Sequence, residues 1–319
     1  MKRIVLLATK ENPNQEAFIF PGQEFKDKSY FDFFDILINN NTELYIVRGP
    51  DKIISNSEFK SGYKYLGGGQ FESTNNTITA DLVWDRTPYL FPYPRKETSN
   101  VDILNCLEFK LMSENKWESY LKFPKFFPLT FLVKDLSNIK IDWDKIKTDK
   151  IVFKPLSLYG GKGIRLFDSD KMSELVEHLN QNPDLVNNSI IEEFCDSSIG
   201  ISNIVEGIHD LRLMITNGEV IFCYLRQPSK KEEFRANTAL GGHERNLRIE
   251  DIPHEILEFI SPVIKDISEK YGNPLYSIDL FNTTNGPRII EFNGATTGFP
   301  DTPDFQSELF QRLAKRFIN

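Results

Sequence analysis

Cysteine is nearly absent from this sequence: Cys106, Cys195 and Cys223 are the whole complement in 319 residues. An odd, scattered set provides neither a disulfide framework nor a metal-binding spacing, so a reducing, cytoplasmic setting is expected. Histidine is scarce too, with four residues and no ligand spacing. His178 falls on an expected helix and reads as solvated, while His209 and His243 flank an arginine-bearing stretch and are weak candidates for substrate contact. Long hydrophobic runs are missing, and nothing approaches the ~20 apolar residues of a membrane span. The opening MKRIVLLATKENP has an apolar run too short for a signal peptide and no small-residue cleavage site, so it reads as a first buried strand. An excess of positive charge is missing as well. The formal net charge is -8, which argues against a nucleic-acid partner held by bulk charge. Repeats and low-complexity tails are absent.

What is present is an ordinary globular balance, 40% hydrophobic and 26% charged, long enough for about two domains of roughly 150 residues. The first hundred residues alternate strand patterns (3–8, 43–48, 79–85) with a helix over 29–38 carried by Phe33, Phe34, Leu37 and Ile38. That alternation points to a small parallel α/β layer. Gly67-Gly68-Gly69 reads as a flexible turn. A proline-rich stretch (Pro88, Pro92, Pro94) with polar residues after it reads as a linker. Beyond it we expect a helix over 102–113, extended chain over 124–133 and strands at 151–155 and 164–168. A helix over 170–180 and a strand at 189–194 follow. A hairpin over 209–226 turns at Asn217-Gly218. A helix runs from Pro253 to Tyr271, capped by Asp251 and ended by Gly272, and a last helix covers 304–317.

The most informative segment is YSIDLFNTTNGPRIIEFNG, residues 276–294. A hairpin symmetric about Asn285 places Asp279 opposite Glu291, with Asn293 on the same face as Glu291 because strand side chains alternate. Facing carboxylates repel unless a cation lies between them. Two carboxylates and an amide oxygen form a hard donor set suited to magnesium on phosphate oxygens. The bland alternative is a solvated pair of strand-end acids.

A second segment, IVFKPLSLYGGKGIRLF (151–167), reads as strand, glycine loop, strand. Gly160, Gly161 and Gly163 let the backbone approach a ligand, and Lys154 adds a point charge. It is neither a Walker loop nor a dinucleotide fingerprint, because Lys162 is followed by glycine and a strand. Taken alone it is equally an ordinary long turn. A third stretch carries Arg212 and Arg226 on adjacent strands, then Arg235 and Asn237 in a glycine-containing loop, a set able to grip carboxylates or phosphates. Residues 228–242 read as a lid.

In this order the segments resemble the ATP-grasp superfamily, in particular RimK-type glutamate ligases and glutathione synthetases. The resemblance runs over roughly 105–300 and rests on Lys116, Lys154-Pro155, Gly160 to Gly163 and Glu192-Glu193-Phe194. It continues through Asp210-Leu211-Arg212, Arg226, Arg235-Ala236-Asn237 with Gly241-Gly242, Asp279 and Glu291-Phe292-Asn293. It implies an α/β (α+β) ATP-grasp fold in three parts: an N-terminal parallel α/β domain (1–100), a central subdomain with the glycine loop (101–190) and a C-terminal subdomain with the metal site (191–319). It implies that Lys116, Lys154 and the glycine loop hold ATP phosphates, that the backbone from Glu192 to Phe194 binds adenine, and that Asp210 binds the ribose. Asp279, Glu291 and Asn293 would hold one or two Mg2+ ions, with Mn2+ an admissible substitute. Arg226, Arg235 and Asn237 would act on the transferring phosphoryl group.

The implied activity is ADP-forming ligation of a carboxylate to an amine through an acyl phosphate. The substrate would be an amino acid or peptide with a separate amine acceptor. No nucleic acid or membrane partner is implied, and a homodimer is left open. A small-molecule kinase and a non-enzymatic ATP-binding module are the alternatives. Asp279→Asn and Glu291→Gln are expected to abolish turnover with the fold intact, even with some gain in stability as facing charges are removed. One departure concerns Gly294-Ala295-Thr296-Thr297-Gly298, where the related ligases often have Pro-Gly, so no known substrate is carried over.

Overall fold

The computed structural model describes residues 1–8, 24–87, 101–135, 139–158, 160–230, 233–236, 241–294 and 302–318. Its first layer begins with β1 (Lys2–Ala8), α1 (Glu24–Asn39) and β2 (Thr42–Arg48). The short pair β3 (Glu58–Phe59) and β6 (Ile78–Thr79) brackets the hairpin β4 (Gly62–Gly67) and β5 (Gln70–Thr74). Then come β7 (Leu82–Asp85) and β8 (Asp102–Leu104). The six-stranded sheet runs β5-β4-β2-β1-β7-β8, with β1 parallel to both β2 and β7. Ile4, Val5, Leu6 and Leu7 are fully buried, as the inner strand of a sheet covered on both faces requires. On one face Phe33, Phe34 and Leu37 of α1 pack against Leu44 and Ile46. On the other, Val5, Leu7 and Val83 pack against Phe59 and Ile78.

The chain departs from two of the expected elements. The strand expected over 79–85 divides into β6 and β7. Residues 102–104, expected to open a helix, form β8, paired in parallel with β7. Asn105 then turns the chain in the left-handed region (φ 68), and the helix starts only at Leu107. The Gly67-Gly68-Gly69 turn closes the β4–β5 hairpin and is tied down. The Gly68 N–H donates to Asp35 (3.0 Å) and the Gly69 N–H to the Tyr65 hydroxyl (3.0 Å). The proposed linker from Pro88 to Asn100 lies outside the described residues.

Two short helices follow, α2 (Leu107–Glu114) and α3 (Lys116–Lys122). Asn115 separates them and caps α3, its side-chain oxygen accepting from the N–H groups of Trp117 (2.9 Å) and Glu118 (3.3 Å). Lys110 on α2 is wholly buried. Its ammonium lies 2.8 Å from Asp85 at the end of β7 and donates to the Thr87 carbonyl at 2.6 Å. Removing Lys110 takes its ammonium away from the Asp85 carboxylate in a dry site. Lys110→Met is therefore expected to cost about 3–5 kcal/mol, read as a lowered urea midpoint at unchanged slope.

The middle layer comprises β9 (Thr130–Leu132), α4 (Ile139–Lys145), β10 (Lys150–Pro155), β11 (Arg165–Asp168), α5 (Met172–Gln181) and β12 (Ser189–Glu193). Its antiparallel sheet has the order β11-β10-β12-β9. Of the extended chain expected over 124–133, the first residues turn and 130–132 alone form a strand.

The last layer holds β13 (Asp210–Thr216), β14 (Glu219–Gln227), β15 (His243–Leu247), α6 (His254–Tyr271), β16 (Tyr276–Thr283) and β17 (Gly286–Asn293). The sheet order is β15-β14-β13-β16-β17. Ile256, Ile260, Val263 and Ile267 of α6 are fully buried against it, as their spacing requires. Gly272 ends α6 in the left-handed region (φ 68). Asp251 does not cap this helix: it closes a separate 3-10 turn (Ile249–Asp251), and Pro253 stands at the cap position. The closing helix α7 (Pro303–Ile318) returns to the first layer, where Phe310 and Phe317 pack on Phe33. Among the described residues no helix is long and apolar enough to cross a membrane.

Candidate nucleotide and metal site

The hairpin of β16 and β17 pairs Asp279 with Glu291, as expected, but not through symmetry about Asn285. Thr283 pairs with Gly286, so the turn is the two residues Thr284-Asn285. A bulge then absorbs Ile290, and that extra residue restores the pairing of Asp279 with Glu291. The β13–β14 hairpin also carries a register shift, between Met214 and Ile215, which brings Asp210 opposite Arg226 and Arg212 opposite Tyr224. Arg212 in turn pairs with Asp279 of β16.

These registers place one charged cluster on one face of the sheet. Asp279, 1% exposed, is gripped by both forks of Arg212 (Nε to Oδ1 2.5 Å, NH2 to Oδ2 2.5 Å). It also accepts from Arg226 at 2.6 Å. Arg226 donates from the same nitrogen to Asp210. Both guanidinium groups lie over the Tyr224 ring, at 5.7 Å and 5.8 Å. Burial raises the pKa of Asp279, but the two guanidinium groups overcome it and hold this carboxyl below the usual range. Asp210 shares a single guanidinium and feels the charge of Asp279, so burial pushes it up to about 7. Asn293 closes the group, its NH2 donating to Asp279 and Glu291, each at 3.4 Å.

The middle sheet supplies the opposite wall. Lys154 and Glu192 sit on adjacent strands and form a buried ion pair. Lys116, at the start of α3, donates to the carbonyls of Leu158 (3.0 Å) and Leu156 (3.4 Å) beneath the glycine loop, and lies 3.7 Å from Glu291. Burial lowers the pKa of its ammonium. Gly160, Gly161 and Gly163 all have positive φ (67°, 74° and 73°), where a side chain is strained. At Gly163 an added Cβ would also stand 2.8 Å from Pro155. The N–H groups of Glu193 and Phe194 are taken by the Leu129 and Lys150 carbonyls (3.0 and 3.2 Å). A ligand reading this backbone therefore has to use other groups than those two donors.

A segment of the expected lid folds over the loop. Glu233 forks Arg235 (2.8 and 2.7 Å), Arg235 donates to the Gly161 carbonyl (3.3 Å), and Phe234 meets Phe194 edge-on at 6.4 Å between centroids.

Together these groups line one cleft. Lys116, Lys154, Gly161, Glu192, Glu193 and Phe194 line it, and so do Asp210, Arg235, Asp279 and Glu291. Arg226 and Asn293 stand behind, bonded to Asp279. Gly160 and Gly163 shape the loop, and Asn237 lies outside the described residues. Sequence reasoning named Arg212 without a specific role, whereas the register makes it the main partner of Asp279, and it left out Phe234 and Cys195, which line the cleft. Burial pushes the Cys195 thiol up to about 12, so it is neutral. His209 lines the cleft as a fixed element: its Nε2 accepts from the Asn282 N–H (3.0 Å), which leaves Nδ1–H to donate to the Gly207 carbonyl (3.0 Å). His243 lies exposed on β15.

Among the described residues no three His, Cys, Asp or Glu side chains form a metal cluster. The donors that converge are Asp279, Glu291 and Asn293. A half-turn of the Asn293 amide replaces its NH2 with oxygen and gives an all-oxygen set that fits a hard divalent cation.

Residues 116–283 match the family model described as the prokaryotic glutathione synthetase ATP-grasp domain. That is just over half of the chain, and the chain belongs to this ATP-grasp family, which uses ATP with Mg2+. Glutathione synthetase from Buchnera aphidicola (subsp. Schizaphis graminum) is 31% identical over 173 residues. This match takes in 54% of the chain and spans about half (48%) of that relative's length. Similar folds are found in the D-alanyl-alanine synthetase A of Vibrio cholerae (TM-score 0.59, 14% identity, 99% of this chain and 98% of that one). A RiPP-associated ATP-grasp ligase of Chryseobacterium gregarium, solved with ADP and a leader and core peptide, is similar too (TM-score 0.59, 12% identity, 99% and 97% covered). The expected fold class is thereby established.

Proposed function

We propose that this protein is an ATP-dependent carboxylate–amine ligase, ADP-forming, acting on an amino acid or peptide through an acyl phosphate. The observation that carries the reading is the meeting of phosphate-binding and metal-binding groups across one cleft. The glycine loop, Lys116 and Lys154 come from one side and Asp279, Glu291, Arg226 and Arg235 from the other. Phosphoryl transfer needs mainly positioning and charge stabilisation, and this set supplies both. The three units 1–100, 101–190 and 191–319 are read as the N-terminal, central and C-terminal parts of the ligase.

In this reading the loop backbone and the two lysines orient the triphosphate. Asp210 accepts from the ribose. Asp279, Glu291 and Asn293 hold Mg2+, which when bound neutralises charge on the phosphate oxygens. Arg235, aimed at Gly161 by Glu233, meets the charge that develops when a substrate carboxylate attacks the terminal phosphoryl group. Arg226 keeps Asp279 ionised and in place. An amine acceptor then displaces phosphate from the acyl phosphate. Both ring nitrogens of His209 are engaged by backbone groups, which leaves it without an acid–base role.

The test is ADP release from ATP with Mg2+ across pools of amino acids and peptides, with the products weighed by mass spectrometry. The expected product is lighter than its two reactants together by one water, and its formation requires both a carboxylate and an amine. A product heavier by a phosphoryl group would replace this reading with the kinase. Nucleotide binding without turnover in any pool would favour a binding module.

A further inference from the structure

We propose that the Lys116 ammonium stands in at Glu291 for a divalent cation and keeps the metal donors closed to free ions until nucleotide phosphates draw it away. This inference rests on the reading of the cleft as an ATP site. The contacts of the three metal donors carry it. Both oxygens of Asp279 are held by guanidinium groups, from Arg212 and Arg226. Glu291 faces the Lys116 ammonium at 3.7 Å. Asn293 turns its NH2, not its oxygen, toward both carboxylates. Every carboxylate of the set already has a cation: Asp279 and Asp210 have the arginines, Glu291 has Lys116, and Glu192 has Lys154.

A divalent ion arriving alone would add two positive charges beside four fixed cations, Arg212, Arg226, Lys116 and Lys154, in a site whose carboxylates each already face one of them. A triphosphate changes that balance, because it supplies the missing negative charge and competes for Lys116. Lys116 is placed to report its arrival. The same ammonium that touches Glu291 also holds the Leu156 and Leu158 carbonyls under the glycine loop. When loop and lysine take up phosphate, Glu291 is released for the ion. Lys116 thus serves as a stand-in cation for the metal, coupling the glycine loop to the metal hairpin.

The experiment follows the electron paramagnetic resonance signal of free Mn2+ during titration with the full chain. The protein is used alone, then with a β,γ-methylene ATP analogue, and the analogue alone is the reference. Mn2+ is expected to bind roughly 100-fold more tightly when analogue and protein are both present than to protein alone. Lys116→Met, with its fold checked by circular dichroism, is expected to tighten binding of Mn2+ alone by roughly 10-fold. Wild-type protein that binds Mn2+ equally well with and without the analogue overturns the proposal, and so does a folded Lys116→Met variant with no gain. Failure of the analogue itself to bind, read by calorimetry with Mg2+ present, overturns the nucleotide reading and this inference together. Analogue binding with unchanged Mn2+ affinity overturns this inference alone.

Discussion

Replacing Asp279 with asparagine is expected to destabilise the fold by about 3–5 kcal/mol as well as to abolish ATP turnover. The sequence alone points the other way on stability, since two carboxylates facing across a hairpin repel and removing one relieves them. The structure reverses the sign. Asp279 is 1% exposed and is, among the described residues, the sole carboxylate in ion-pair contact with Arg212, while Arg226 bridges it to Asp210. An amide there leaves the buried Arg212 guanidinium without a counter-ion, and a buried unpaired charge costs more than the repulsion it replaces. The measurement is a urea titration at neutral pH. The double variant Asp279→Asn with Arg212→Met is expected to recover part of the loss, because the orphaned charge goes too, and the two changes should be clearly non-additive. A midpoint equal to or above that of the wild type in Asp279→Asn would show that carboxylate repulsion governs the site, and the charge pairing of Asp279 with Arg212 and Arg226 would fall.

The elements with strong periodicity were legible in the sequence: α6, α7, the buried β1 and the hairpin at Asn217-Gly218 all lie where apolar spacing and turn residues put them. The misreadings have physical causes. Residues 102–104 carry too short a pattern to show a strand, and their pairing with β7 is a long-range choice of the sheet. Asp251 is a good capping residue held elsewhere by a 3-10 turn. In the site, residue types and order marked the phosphate and metal groups, but the pairing of Asp279 with Glu291 came from a turn and a bulge that compensate each other. Such offsets leave no mark in a single sequence, because any residue can occupy a bulge. For the same reason Arg212 was seen as one of several arginines, whereas the register makes it the partner that keeps Asp279 charged and fixed.

Glu291→Gln separates function from folding at the same hairpin. Among the described residues no guanidinium clamps this carboxylate. Its side chain is 18% exposed, its cation is Lys116 at 3.7 Å, and the Asn293 amide reaches it at 3.4 Å. A pair so long and partly wet contributes about 1 kcal/mol or less, and glutamine keeps the volume and an acceptor oxygen. Unfolding should therefore shift little. Turnover should not survive, because a metal-held phosphoryl group loses a charged ligand. Several kcal/mol of transition-state stabilisation correspond to a fall of about a thousandfold in ADP formation. Melting curves and ADP release measured on the same preparation decide the matter. A folded variant with near-normal turnover would remove Glu291 from the metal set. A variant as unstable as Asp279→Asn would mean that Lys116 is held by Glu291 as tightly as Arg212 is by Asp279, and that this side of the cleft is built for stability before catalysis.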